Sequence, residues 1–189
     1  MEADRHILLT LEKPEQIDLR QAARYFGAPG EPDAATRALL ERCAPPLLAS
    51  AAPRAVWKTF DPAALTEAGI LRGQDVCRHM AGCRQAILLA VTLGAGVDGQ
   101  IRRAGVGDIA AGVASDALAS ALAEQMAEQA EALLRQHITA AGGWLTGRYS
   151  PGYGDWPLAA QPVLCRMLDA QRRLGVCCSA SCLLAPRKS

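Results

Sequence analysis

Hydrophobic residues recur at helical spacing through one long stretch of the chain. From about Asp108 to Thr139, apolar side chains recur near helical spacing among many alanines. This pattern predicts a long central helix. Gly142 and Gly143 follow and favour its end. The apolar side chains that lie near helical spacing are Ile109, Val113, Leu118, Leu122, Met126, Leu133, Leu134 and Ile138.

One face of this predicted helix carries polar side chains. Asp116, Ser120, Glu124 and Glu128 recur at every fourth position, which places them on one side of a helix. Carboxylates in this arrangement are typical of a solvated face, and a buried acid and base pair is the less common alternative. No histidine accompanies these carboxylates. His137 lies near the C-terminal end of the helix, where it would complement the helix dipole.

Short apolar runs bounded by charge, proline or glycine predict strands elsewhere in the chain. The run from Gln85 to Leu93 is continuous and is typical of a strand buried on both faces. Gly94 would end this strand. Strands are predicted at residues 5–12, 53–60, 85–93, 144–150 and 176–184.

Capping residues and glycine stops predict further helices. Asp33 suits the N-cap of a helix that Pro45 and Pro46 would end near Ala44. Gly27 and Gly175 are expected to end two others. These helices are predicted at residues 17–26, 33–44, 75–80 and 161–174.

The order of these elements predicts the fold class. Strands separated by helices, together with the long central helix, indicate an α+β or mixed α/β layered arrangement. At 189 residues, half of them hydrophobic, the chain is long enough for one sizeable core. We expect one compact unit over residues 1–189, with a helical N-terminal part to about residue 80 and a core from about residue 81 onward.

Composition and charge exclude some classes of partner. The formal net charge is +1 and charged residues are spread along the chain, so there is no basic footprint for nucleic acid. The N-terminal residues do not resemble a signal peptide, and no uninterrupted apolar segment reaches about 18 residues, the length of a membrane span. The sequence therefore predicts a soluble, cytoplasmic protein without a membrane partner.

Cysteine usage favours reduced thiols. The chain has seven cysteines in scattered positions, most of which we expect to be small buried hydrophobic residues. The patterns Cys177-Cys178-x-x-x-Cys182 and Cys77-x-His79-x-x-x-Cys83 lack the paired C-x-x-C spacing of structural zinc sites, so no metal site is expected. Thiol redox chemistry at Cys177 and Cys178 is disfavoured, because both lie on a strand predicted to be buried.

The stretch from Arg148 to Pro157, RYSPGYGDWP, differs from the rest of the chain. Pro151 restricts the backbone while Gly152 and Gly154 permit positive φ, which predicts a rigid loop. Arg148 offers a planar set of donors suited to a carboxylate or phosphate. The residues leave two interpretations open: a small-molecule site, and a structural connector with Arg148 in a surface ion pair.

Several motifs together resemble a known family. Arg148-x-Ser-Pro-Gly-Tyr153, followed by a helix, by Leu174-Gly-Val176 and by Pro186, is similar to the activation domain of cobalamin-dependent methionine synthase. Three segments resemble more closely a group of short, stand-alone bacterial relatives of that domain, and this similarity covers nearly the whole chain. These segments are T-L-G-x-x-V-D at residues 92–98, residues 148–157 and Pro186-Arg-Lys-Ser at residues 186–189.

The resemblance implies a fold and a ligand. The fold would be α+β, with a twisted, mostly antiparallel sheet packed with the long central helix and flanking helices. The ligand would be S-adenosylmethionine. Arg148 would pair with its methionyl carboxylate, backbone at Ser150 would contact it, and Tyr153 would lie beside it. Asp155 is a candidate for the acidic residue that the methionine synthase domain takes from elsewhere.

The resemblance also implies a function and partners. The chain would support reductive methylation of a cob(II)alamin carried by another protein, a corrinoid-binding protein or methyltransferase. An electron donor such as flavodoxin or ferredoxin would take part. No cobalamin-binding D-x-H-x-x-G motif is present, so the chain is not expected to synthesise methionine alone.

The sequence also departs from the methionine synthase pattern. Gly154-Asp155-Trp156-Pro157 replaces the residues that follow the tyrosine in that domain. This change affects the edge that would face the corrinoid. The alternative function is therefore a non-enzymatic docking or capping partner of a corrinoid or methyltransferase protein, without use of the ligand site.

Overall fold

The computed structural model describes residues 5–27 and 31–189, and within them the fold is α+β. The strands are β1 Ile7–Thr10, β2 Arg54–Phe60, β3 Ala86–Thr92, β4 Cys177–Cys178 and β5 Leu184–Ala185. The helices are α1 Leu19–Tyr25, α2 Ala34–Ser50, α3 Pro62–Glu67, α4 Gln74–Met80, α5 Ala95–Gly107, α6 Ile109–Ala140, α7 Gln161–Met167 and α8 Ala170–Leu174, with a 3-10 turn at Leu158–Ala160.

The larger sheet has three antiparallel strands in the order β1-β2-β3. Backbone hydrogen bonds continue past the strand ends, from Leu11 N–H to the Pro53 carbonyl (3.2 Å) and from Ala52 N–H to the Leu93 carbonyl (2.9 Å). The predicted strands at residues 5–12, 53–60 and 85–93 are confirmed. On β3, however, the residues between Ala86, Leu88 and Thr92 are only half-buried, so burial on both faces is partial.

The chain divides into two compact units. The first unit comprises residues up to Leu9, Ala55–Ala90 and Glu131–Ala185, and the second comprises Thr10–Arg54, Val91–Ala130 and Pro186–Ser189. Neither unit is continuous in sequence, and α6 contributes residues to both. The sequence predicted one unit, with a helical part to about residue 80 and a core from about residue 81. These parts do not coincide with the two units, and the single unit stays a prediction.

Each unit has its own buried apolar residues. The core of the first unit collects side chains from β2, β3, α3, α4 and the segment that follows residue 155: Val56, Leu65, Ile70, Val76, Ala86, Leu88, Trp156, Ala160, Leu168, Ala170, Leu174 and Val176. The second unit buries residues of α1, α2, α5 and the first part of α6, among them Ala22, Leu40, Leu47, Val97, Leu118 and Leu122.

The long central helix is confirmed as α6, and four of its named apolar side chains, Leu118, Leu122, Met126 and Leu134, are buried. Ile109, Val113 and Leu133 are exposed, while Ala114 and Ala121 are fully buried. The buried positions keep helical spacing and are mostly small, because alanine lets a neighbouring element approach closely. The periodicity therefore located the helix correctly, but the apolar positions at both of its ends, Ile109, Val113 and Leu133, are not part of the buried face.

The predicted end of α2 at Pro45-Pro46 is wrong, because the helix continues to Ser50. Both prolines lie inside it and remove backbone donors. Leu40, Cys43 and Leu47 are buried on one face across the prolines. Burial of this face offsets the lost hydrogen bonds. The predicted N-cap is confirmed, since the Asp33 carboxylate accepts a hydrogen bond from Thr36 N–H (2.7 Å).

Two predicted elements in the last part of the chain are wrong in form. Residues 144–150 form no strand, and the Leu145 carbonyl accepts a hydrogen bond from Arg135 instead (2.7 Å). The helix predicted at 161–174 is two helices, α7 and α8, because Asp169 adopts a left-handed conformation between them (φ 52°). Gly175, also left-handed, ends α8 as predicted.

The predicted strand at 176–184 folds back on itself. β4 and β5 form an antiparallel hairpin with Cys177 opposite Ala185 and Cys178 opposite Leu184. Its turn is closed by a hydrogen bond from Cys182 N–H to the Ser179 carbonyl (2.9 Å), and Cys182 has a positive φ. The local turn chemistry therefore outweighs the apolar run that suggested one strand.

Candidate functional site

The stretch from Arg148 to Trp156, which we call the RSPGY loop, folds on itself through backbone hydrogen bonds. Tyr153 N–H donates to the Ser150 carbonyl (3.2 Å), and Trp156 N–H donates to the Tyr153 carbonyl (3.0 Å). Gly152 N–H donates to the Trp156 carbonyl (2.8 Å). Gly152 and Gly154 both have positive φ, as this tight path requires. The predicted rigid loop is thus present as a series of turns.

The loop is joined to the beginning of α4 by reciprocal hydrogen bonds, which we call the clasp. The Asp155 carboxylate accepts from Gln74 N–H (2.6 Å) and from Asp75 N–H (3.0 Å). In return, Asp155 N–H donates to the Asp75 carboxylate (3.3 Å). The backbone donors of Asp75 and Gln74 hold the pKa of Asp155 below its ordinary value. Asp155 therefore serves the loop by fixing it to α4.

Two glycines make the clasp sterically feasible. A Cβ on Gly73 would lie 2.5 Å from an Asp155 carboxylate oxygen. A Cβ on Gly154 would lie 2.5 Å from an Asp75 carboxylate oxygen and would also collide with the Tyr149 hydroxyl. Glycine is therefore required on both sides of the clasp, for space as well as for positive φ.

Three aromatic rings stack in the same unit. The rings of Tyr149 and Trp156 are nearly parallel, with centroids 5.8 Å apart and planes 11° apart. The His79 ring of α4 stacks on the Tyr149 ring at 5.2 Å and 23°. Trp156 is buried and its indole N–H donates to the Ile70 carbonyl (2.8 Å), so the inner end of the stack is anchored in the core.

The outer members of the stack are held by polar contacts. The Tyr149 hydroxyl donates to the Tyr153 carbonyl (3.1 Å). The His79 Nε2 atom lies 3.4 Å from the Thr146 hydroxyl. Burial, and then the carboxylates of Asp75 and Asp155, raise the pKa of Tyr149, so this hydroxyl stays protonated and available as a donor.

Arg148 takes part in an ion-pair cluster with α6. Its Nε donates to one Glu131 carboxylate oxygen (2.8 Å), while Arg135 donates to the other (2.7 Å). Burial would raise the pKa of Glu131, but the hydrogen bonds and charges of Arg135 and Arg148 lower it overall. The cluster fixes the orientation of the Arg148 guanidinium, whose side chain is 33% exposed.

The four residues predicted for ligand binding all lie in this loop, in different environments. Tyr153 is 64% exposed, whereas Ser150 uses its carbonyl in a loop turn. Arg148 and Asp155 already contact protein partners.

Sequence reasoning missed Asp75, His79 and Glu131 as neighbours of the loop. The spacing of Asp75 and His79 could have shown that they are neighbours, because residues four apart on a helix share one face. In the sequence, His79 was considered only as part of the pattern Cys77-x-His79-x-x-x-Cys83. Glu131 stood on the polar side of the long helix without any mark that set it apart from its neighbours.

A second cluster of polar residues lies in the second unit, and we call it the tail cluster: Thr92, Asp98, Asp116, Ser120 and Lys188. The Lys188 ammonium contacts the Asp116 carboxylate (3.0 Å) and the Ser120 hydroxyl (2.9 Å). Its side chain is only 11% exposed. Asp116 and Ser120 thus do not form a purely solvated face, because the Lys188 ammonium binds to both.

The rest of the segment Pro186–Ser189 is held by the same cluster. The Asp98 carboxylate accepts from Arg187 N–H (2.8 Å), and the Lys188 carbonyl accepts from Leu93 N–H (2.9 Å). The Ser189 hydroxyl donates to the Thr92 hydroxyl (2.8 Å). Two segments that carry the family resemblance, residues 92–98 and 186–189, therefore meet here.

The cysteines are less buried than expected. All seven are free; Cys43 is buried, Cys77 and Cys177 are exposed, and the others are intermediate. The expectation of mostly buried thiols, including a buried Cys177, is therefore wrong. Burial, and then the nearby Cys178 and Cys177, raise the pKa of Cys165 to about 11. Within residues 5–27 and 31–189, no group of three or more His, Cys, Asp or Glu side chains is placed to hold a metal ion.

Neither protein-family models nor curated proteins gave a match to this chain. In the described part of the chain, no helix combines the length and the apolar character needed to cross a membrane.

Proposed function

We propose that the RSPGY loop and α4 form a site for S-adenosylmethionine. The chain would act as a stand-alone module, similar to the methionine synthase activation domain, that supports reductive methylation of a cob(II)alamin on a partner protein. The observation that carries the proposal is the fixed loop itself. The loop and α4 together carry the Arg148 guanidinium, the exposed Tyr153 ring and the carboxylates of Asp75 and Asp155, all within one unit. These are the groups that a zwitterionic sulfonium nucleoside needs.

Arg148 is the proposed contact for the methionyl carboxylate. A guanidinium presents five N–H donors in a rigid plane, and the bond to Glu131 uses the one at Nε. The ligand carboxylate would join or displace the present partners of Arg148. Because Glu131 also binds Arg135, the guanidinium plane is oriented before the ligand arrives, which lowers the entropy lost on binding.

The positive groups of the ligand need oxygen atoms and ring faces. The Asp75 carboxylate lies at the clasp with its side chain 37% exposed and pairs with Arg78 (2.8 Å). It is the proposed acceptor for the ammonium group, which would share the carboxylate with Arg78 or displace it. Backbone at Ser150 and the ring of Tyr153 are the proposed neighbours of the sulfonium. Asp155 contributes by holding α4 and the loop together.

The proposal includes partners for the reaction. S-adenosylmethionine would supply the methyl group and a donor such as flavodoxin or ferredoxin would supply the electron, while the corrinoid would be carried by another protein. The residues of this chain would bind and orient the sulfonium ligand. The predicted cytoplasmic location belongs to the same proposal.

One observation favours the alternative function, a docking or capping partner that does not use the ligand site. Arg148 and Asp155, two of the four predicted ligand residues, already have protein partners. Trp144 and Tyr153 of the same unit are also exposed, at 78% and 64%. Large exposed aromatic side chains are typical of protein interfaces.

Calorimetric titration with S-adenosylmethionine tests the proposal. Wild type should give a saturable signal, and Arg148→Ala should bind at least about tenfold more weakly, because a charge-assisted pair to the carboxylate is lost. Arg135→Ala is the matched control, since it removes the other arginine on Glu131 and should change affinity less than about threefold. No signal at millimolar ligand, or equal affinities of the two variants, would contradict the proposal.

Co-purification with a corrinoid protein distinguishes the alternative. A complex that forms equally well with Arg148→Ala, in a protein that shows no S-adenosylmethionine binding, supports docking without the ligand site. A complex that requires both the ligand and Arg148 supports the proposed binding function.

A further inference from the structure

The three-ring stack runs from the core of the first unit towards its surface. Trp156 at the inner end is buried, whereas Tyr149 and His79 are half-buried. Of the residues that the structure describes, Tyr149 alone stacks on the His79 ring. The series of rings therefore ends at an imidazole that has an aromatic partner on one face.

The orientation of the His79 ring is fixed from two sides. The Thr146 hydroxyl lies 3.4 Å from Nε2, and Tyr149, itself tied to the Tyr153 carbonyl, supports the ring face. A side chain held in this way loses little further entropy when another ring stacks on it. The end of the stack is thus prepared for a flat ligand ring.

His79 lies on the same side of α4 as Asp75, because residues four positions apart on a helix are neighbours. Both contact the RSPGY loop, His79 through Tyr149 and Asp75 through Asp155. The helical rise separates the two positions by about 6 Å along the axis. A ligand with its ammonium group at Asp75 would therefore place its nucleoside near His79.

We propose that the outer face of His79 is the base subsite, on which the purine ring of a nucleoside ligand continues the stack. The choice of adenine rests on the proposed function, whereas the preference for a flat aromatic ring rests on the stack itself. Stacking of a base on an aromatic side chain contributes about 1–3 kcal/mol by alanine substitution. His79 would therefore set affinity for the nucleoside part, independently of Arg148.

Titrations of wild type and of variants at His79 test this subsite, with S-adenosylmethionine and adenosine as probes. His79→Ala and His79→Gln should each bind S-adenosylmethionine about tenfold more weakly, and His79→Phe should stay within about threefold of wild type. His137→Ala is the matched control, because His137 meets Trp57 only edge-on, at 5.4 Å. It should leave affinity unchanged. Thermal unfolding of each variant verifies that it is folded.

The outcomes separate this inference from the proposed function. Arg148→Ala should weaken S-adenosylmethionine binding and leave adenosine binding unaffected, whereas the non-aromatic His79 variants should weaken both. If His79→Ala and His79→Gln are folded and bind S-adenosylmethionine as wild type does, while Arg148→Ala binds it weakly, the base subsite is wrong and the proposed function stands. If wild type binds neither S-adenosylmethionine nor adenosine, both fail; if it binds adenosine in a way that requires His79 but does not bind S-adenosylmethionine, only the proposed function fails.

Discussion

The RSPGY loop and the tail cluster both include segments on which the predicted family resemblance rests, and they differ in how their polar groups are used. In the tail cluster, the lysine, the carboxylates and the hydroxyls contact one another, and the Lys188 side chain is 11% exposed. In the loop, backbone and carboxylate contacts fix the chain, while the Tyr153 ring remains 64% exposed.

The proposed function assigns different roles to the two regions. In the tail cluster the Lys188 ammonium is paired with Asp116, and removal of one partner of such a shielded pair leaves the other charge uncompensated. The loop is fixed through its backbone and several of its side chains while Tyr153 stays exposed, and exposed side chains on a fixed loop are typical of binding sites. Shared family resemblance therefore does not by itself identify a functional site, and the contacts of each residue have to be considered.

The largest expected effect comes from filling the space at the clasp. Gly154→Ala should lower the free energy of unfolding by about 3 kcal/mol, because alanine is strained at this positive φ and its Cβ would meet Tyr149 and Asp75. Gly82→Ala is the control, since Gly82 has φ +78° and an added Cβ would have no neighbouring atom within 4 Å. It should cost only about 1 kcal/mol. Urea denaturation measures both, and equal losses would show that the clasp is not tightly packed.

A smaller effect is expected from the tail cluster. Lys188→Met should lower the free energy of unfolding by about 2 kcal/mol, because the Asp116 carboxylate loses the ammonium group that faces it. Arg187→Met removes a neighbouring charge whose side chain is 71% exposed and should cost less than about 0.5 kcal/mol. Similar losses in both variants would remove the distinction between a closed cluster and an exposed pair.

The smallest expected effect concerns Glu131, which positions Arg148. Glu131→Gln should destabilise the protein by about 1 kcal/mol at neutral pH, since two arginines lose their carboxylate. The pKa of Glu131 is lowered in the folded state, so its contribution is present above about pH 4.3, the pKa of an unperturbed glutamate, and is lost as the pH falls below it.

Unfolding free energies measured from neutral pH to about pH 3 would check the Glu131 prediction. The difference between wild type and Glu131→Gln should shrink as the pH falls. A difference that is constant with pH would mean that the charge of Glu131 contributes nothing to stability.

Much of the fold was predictable because local sequence determines local structure. The spacing of apolar residues located α6, and Asp33 marked the beginning of α2. The errors have two kinds of cause. The hairpin in place of the strand at 176–184 and the break at Asp169 are local, whereas two other errors concern segments where contacts outside the segment outweigh local preference. Burial of Leu47 carries α2 past two prolines, and a hydrogen bond from Arg135 replaces the strand predicted at residues 144–150.

The same division applies to the candidate site. The sequence alone predicted that residues 148–157 form a loop with restricted backbone angles, because proline and glycine act on their own backbone angles. Only the tertiary structure decided that Asp155 binds the beginning of α4, that Tyr149 lies between His79 and Trp156, and that Lys188 reaches Asp116. Asp155 and Asp75 are 80 positions apart in the chain. No pattern in a single sequence links residues so far apart, because their contact depends on how the whole chain packs.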